Sequence, residues 1–74
     1  MDMEQRMIAA HKNGMERFDR YPDWPLNVVT KEARAWYRFT DEQAAFVAGY
    51  CGARARLAVN AERMVLRHQR GDVT

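Results

Sequence analysis

The 74-residue sequence predicts an all-α fold, on three observations. Apolar residues recur at helical spacing in two long segments, Thr40-Asp41-Glu42-Gln43 reads as a helix start, and both prolines, Pro22 and Pro25, fall in one short stretch. The expected architecture is a single domain over residues 1–74: a small helical hairpin or three-helix domain with one long C-terminal helix. A domain of this size buries only about 60 to 65% of its unfolded surface, so it needs close helix packing, a staple or a second subunit.

The first helix is predicted over residues 2–20. Met3, Met7, His11, Met15 and Phe18 follow steps of four, four, four and three, which marks them as one face, with Ile8 beside it. Gly14 costs about 1 kcal/mol relative to alanine inside a helix, and close packing against a neighbour is the compensation expected there. Pro22 and Pro25 end this helix and open an aromatic, proline-bearing elbow over residues 21–29.

A short second helix is expected over residues 30–38, with Asn27 or Thr30 as its cap and Ala33, Trp36 and Tyr37 on its docking side. A helix of two to three turns is marginal in water and must dock to exist. Trp36 is the expected anchor. Thr40 and Gln43 have the spacing of a capping box, Asp41 and Glu42 suit the positive end of the helix dipole, and Phe39 can staple onto Ala44. The third helix is therefore expected over residues 41–69, stopped by Gly71. Its length of about 43 Å exceeds the about 27 Å of the first helix. Pairing of two long helices in a homodimer is expected to bury the remainder, helped by the small residues from Ala44 to Ala55.

Along the third helix one stripe reads Phe46, Tyr50, Ala53, Leu57, Asn60 and Met64 and its neighbour Val47, Cys51, Arg54, Ala58, Ala61, Val65 and His68, and together they make the broad apolar arc expected to be buried. Five of the eight aromatic residues lie between Tyr21 and Phe39, and they have two explanations, core packing or a partner surface. Trp36, Tyr37 and Phe39 are assigned to the core. Tyr21 and Trp24 are left over for a partner, and the candidate partner-binding set is Tyr21, Trp24, Trp36 and Tyr37.

Charge is uneven. Residues 1–50 carry seven positive and eight negative side chains, net −1, whereas residues 51–74 carry five arginines against Glu62 and Asp72, net +3. Arg56, Arg63, Arg67 and Arg70 fall along one helical edge. That edge is either a solvated face whose stems cover apolar surface or a patch for nucleic acid, where arginines span phosphates and an aromatic ring stacks an unpaired base.

Catalytic apparatus is not evident. Neither His11 nor His68 has His, Cys or acid at i+3 or i+4 in a pattern a metal needs, Asp72 standing alone four after His68, and Cys51, the only cysteine, sits among alanine and glycine as a packed thiol. Neither a Gly-rich phosphate loop nor a bilayer-length apolar run is present. No metal, cofactor or enzymatic role is expected. A single cysteine and the lack of an apolar leader point to a cytoplasmic, non-membrane protein.

The fragments AAHKNG (residues 9–14) and QAAFVAGYCGARA (residues 43–55) resemble the two helices of ribosome modulation factor and its short relatives. The matching positions are His11 and Gly14 in the first helix and Phe46, Gly49, Tyr50, Ala53 and Arg54 in the second. The resemblance implies a helical pairing and binding to RNA or the small ribosomal subunit. The chain lacks that family's Cys-Pro-Tyr-type linker, has a longer connector and adds an arginine-bearing extension after Leu57. In general style, an Arg-rich helical chain with a Trp-rich elbow also resembles phage and mobile-element accessory proteins, which implies a stoichiometric inhibitor of a host protein or defence complex. The leading expectation is a small regulatory protein that binds a host protein or complex; the alternative is an RNA- or ribosome-binding modulator.

Overall fold

The computed structural model describes residues 2–73, with side chains described for residues 2–64. Three helices follow in order, α1 (Met3–Arg20), α2 (Leu26–Trp36) and α3 (Thr40–Val73), and no strand occurs among the described residues. The all-α class and the long C-terminal helix are as the sequence predicts.

Local chemistry sets each boundary. The Asp2 carboxylate accepts from the Gln5 backbone N–H at 2.9 Å and caps α1. At the other end Tyr21 N–H donates to the Arg17 carbonyl at 2.8 Å, and Pro22 prevents continuation. The α2 boundary differs from expectation: the helix starts at Leu26, not at residue 30, and ends at Trp36, not at residue 38. Pro25, with φ −70°, holds the cap position, and its carbonyl accepts from Val28 and Val29 N–H. A proline serves there because the first N–H groups of a helix have no internal partner. Neither Asn27 nor Thr30 is the cap; the Thr30 hydroxyl donates back to the Leu26 carbonyl at 2.9 Å. The elbow therefore shrinks to residues 21–25.

Helical bonding of α3 begins with Gln43 N–H to the Phe39 carbonyl at 3.0 Å. The Gln43 side chain does not close a capping box onto Thr40. It donates to the Tyr37 carbonyl at 2.8 Å and ties the α2–α3 connection to the helix start. Phe39 is exposed, with the Arg6 guanidinium 5.8 Å from its ring centre, so it does not close the core as expected. Gly71 does not stop α3, which runs on to Val73.

The helices run up, down and up. Going along α1, contacts climb along α3, from Arg6 against Phe39 through His11 against Gly49 to Phe18 against Tyr50. Helices α1 and α3 are thus parallel and pack directly on each other, and α2, antiparallel to both, packs on α3. Two glycines set how close α1 and α3 come. A Cβ on Gly14 would overlap the Phe46 carbonyl and lie 2.9 Å from Tyr50 N, and a Cβ on Gly49 would overlap the His11 carbonyl. Backbone meets backbone at both points, which is the close packing expected of Gly14.

That approach rotates α1 relative to the expected face. Ala10, Gly14 and Phe18 are buried, whereas Met3, Met7 and Ile8 are exposed. The core consists of Ala10, Phe18, Val29, Ala33, Phe46 and Tyr50, with Trp24, Tyr37, Ala45, Val47 and Ala53 packed against its edge. Tyr50 is fully buried and its hydroxyl is doubly used: it donates to the Tyr21 carbonyl and accepts from Trp24 N–H at 3.0 Å.

The expected core stripe is real only in part. Phe46 and Tyr50 are buried and Ala53 is half-buried, but Leu57 is 58% and Met64 72% exposed. Beyond Ala53 every described residue of α3 is exposed. The cause is length: α3 has 34 residues, about 51 Å, against 18 residues and about 27 Å in α1. The principal dimensions are 54 × 24 × 16 Å. Among the described residues, Arg54 to Met64 form an arm whose side chains are left exposed by the other helices.

Candidate partner-binding surface

Helix α2 decides which aromatic faces inward. Val29 and Ala33 are its buried residues, and one more step of four brings Tyr37 to the same side. Tyr37 packs on Phe46 with ring centres 5.6 Å apart, and its hydroxyl accepts from Asn13 Nδ2 at 2.8 Å. Trp36 falls on the adjoining stripe with Glu32. It is 65% exposed, so it does not anchor α2 in the core as the sequence suggests.

Trp36 is exposed but held. Its Nε1–H donates to Glu32 Oε1 at 2.7 Å, one helical turn back. The Arg17 guanidinium lies 5.6 Å from the Trp36 ring centre and 3.7 Å from the same Glu32 oxygen. The three groups brace one another, which fixes the indole with most of its surface in water. Beside it is a shallow cleft of about 210 Å³, lined by Asn13, Glu16, Arg17, Arg20, Trp36, Tyr37 and Phe46. That volume is below the about 300 to 1,000 Å³ of small-molecule sites and suits one inserted side chain. The charged groups at its rim are balanced, Arg17 and Arg20 against Glu16 and Glu32.

Trp24 is the reverse case. Its ring lies parallel to Tyr21 at 4.8 Å and to Tyr50 at 6.1 Å, and its carbonyl accepts from Arg54. Trp24 is half-buried and closes the upper end of the core, where α1 ends. The sequence leaves Trp24 to a partner and sends Trp36 inward; the structure exchanges those positions. Tyr21 is 45% exposed and covers the outer face of Trp24.

Of the basic edge, Arg56 and Arg63 are exposed on the α3 arm, with Arg56 reaching Met15 Sδ at 3.9 Å. Arg67 and Arg70 lie outside the residues with described side chains, as does His68. His11 is half-buried against Gly49, and Cys51 is a half-buried free thiol. Among the described residues no group of His, Cys, Asp and Glu could hold a metal ion. No described helix is long and apolar enough to cross a membrane.

Two residues of this surface were not singled out from the sequence. Glu32 had a signal, since it stands four before Trp36 on a helix. Arg17 had none, because its contact depends on how α1 lies against α2. Arg54 was likewise missed as a structural residue: it caps the Trp24 carbonyl and lies 5.0 Å from the Tyr50 ring centre.

Comparison with protein-family models, with curated proteins and with solved structures finds no match.

Proposed function

We propose that this chain is a small regulatory binding protein that works in the cytoplasm by docking on a host protein or protein complex and blocking it stoichiometrically, without catalysis of its own. One observation carries the reading: Trp36 is exposed yet braced by Arg17 and Glu32. Exposing a tryptophan is unfavourable in water, and fixing it in advance lowers the entropy lost when a partner covers it. Tryptophan and arginine side by side are also the residue types that dominate protein–protein binding energies. Tyr37 and the cleft beside Trp36 extend the same surface.

A second reading, an RNA- or ribosome-binding modulator, draws on the exposed Arg56 and Arg63 and on the flat face of Trp36, which suits stacking on a base. The balanced charge around Trp36 favours protein over a phosphate backbone. Capture of partners by tagged protein from host lysate, with and without nuclease, separates the two. The protein-directed reading expects one nuclease-resistant complex that tolerates added salt. Partners that vanish with nuclease, or binding that falls steeply with salt, contradict it and favour RNA.

A further inference from the structure

We propose that the outer face of α3 is the seat of a second copy of this chain, paired antiparallel about a two-fold axis at Gly52. The inference is independent of which partner meets Trp36. Turned away from Phe46 and Tyr50, the residues Ala45, Ala48, Gly52, Ala55 and Val59 follow steps of three, four, three and four, the spacing of a helix-pairing seam. All five are half-buried or exposed in the single chain. At the level of Ala45 and Ala48 the seam runs between two grooves, one formed by both alanines with Met7 and Ile8 of α1, the other by Ala44, Val47 and Ala48 with Thr30 and Arg34 of α2. Ile8 is 62% exposed there, a large apolar side chain facing water.

What suits this face is the chain's own arm. In an antiparallel pair centred on Gly52, Val59 of one copy comes level with Ala45 of the other, and Arg63 level with Asp41. A two-fold axis brings each flank against the same flank of the second copy. Arg63 lies on the α1 side of the seam, so it meets the acidic pair Glu4 and Asp41. Glu62 lies on the α2 side, so it meets Arg34. Both charges near the end of the described arm therefore find opposite charges, one on each flank, and the apolar residues between them meet apolar residues. The reverse, parallel arrangement sets Glu62 about 27 Å from Arg34 along the axis and lays arm on arm, so Val59 never comes level with Ala45.

The overlap from Asp41 to Arg63 is about 35 Å long and about 10 Å wide, roughly 350 Å² per copy before the flanking Met7, Ile8 and Arg34 are added, against about 800 Å² in a standard interface. Gly52 fits at the crossing because a Cβ there meets nothing in its own chain, so the space above it is open to a second helix.

Sedimentation equilibrium of the full chain tests this, with circular dichroism as the check on folding. The wild type is expected at twice the 8.7 kDa chain mass. Gly52→Gln adds a side chain that its own fold accommodates but the crossing does not, so a monomer of undiminished helicity is expected. Arg34→Glu and Glu62→Arg are each expected to weaken the dimer at least about tenfold, and the double exchange to restore it. A wild-type monomer, a dimer indifferent to Gly52→Gln, or a double exchange that restores nothing overturns the proposal.

Discussion

At the scale of single residues, the two tryptophans and the two packed glycines have separable roles. Trp24 is stacked between Tyr21 and Tyr50 and bonded through its backbone at both ends, whereas Trp36 is bonded to side chains of α1 and α2 at the surface. Trp24→Ala should therefore lower unfolding stability by about 2 kcal/mol, less than a fully buried tryptophan loses. Trp36→Ala should stay within about 0.5 to 1 kcal/mol of wild type in the same urea titration. Gly14→Ala and Gly49→Ala bear on the helix crossing. Alanine gains about 1 kcal/mol of helix propensity over glycine, but here its Cβ collides with a backbone carbonyl that cannot swing away. Overpacking should win, with a net loss of about 1 to 2 kcal/mol at each position, read from the midpoint of thermal or urea unfolding.

Which of these roles could be seen in the sequence depended on the kind of signal. Gly14 in mid-helix announced a close contact, because its cost needs a reason, and the contact with Phe46 and Tyr50 is that reason. The methionine periodicity of α1 misled, since Met3, Met7 and Ile8 look like a core face while the buried residues are the small Ala10 and Gly14 with Phe18. Size points outward where backbones must approach. Trp36 misled for a related reason: its side is fixed by a difference of one residue from Tyr37, and only the position of α2 on α3 decides which of the two turns in.

At the scale of elements, α3 divides into a supported half and an arm. Phe46, Gly49, Tyr50 and Ala53 are packed by the other helices, and from Arg54 to Met64 the side chains are exposed. Helix without tertiary support opens locally at low free energy. In dilute monomeric protein, hydrogen exchange should show amides from about Val47 to Ala53 protected to near the global stability, and amides beyond Leu57 exchanging orders of magnitude faster. Uniform protection along α3 under those conditions would contradict the division. The helix and its excess length were readable from the absence of proline after Pro25 and from the first-turn acids. The early start of α2 was not, because Pro25 reads as a breaker until its cap position is known.

For the whole molecule, a small core closed by Tyr50 and Trp24 leaves two surfaces unmatched within the chain: the Trp36 brace and the outer face of α3. Arg34 at the flank of that face and Trp36 stand two residues apart on α2, on opposite sides of the helix, so a self-paired molecule keeps Trp36 available to something else. The sequence contained the materials for a binding surface, two tryptophans and an arginine edge. It did not contain the choice between them, which follows from the packing of α2. The central functional claim is that Trp36, and not Trp24, meets the partner. Quantitative capture of host partners by Trp36→Ala beside wild type tests it most directly, with unfolding midpoints measured on the same samples. At least a tenfold loss of captured partner is expected, the scale of a binding hot spot of about 2 kcal/mol, with the midpoint nearly unchanged. Full capture by folded Trp36→Ala protein would contradict it.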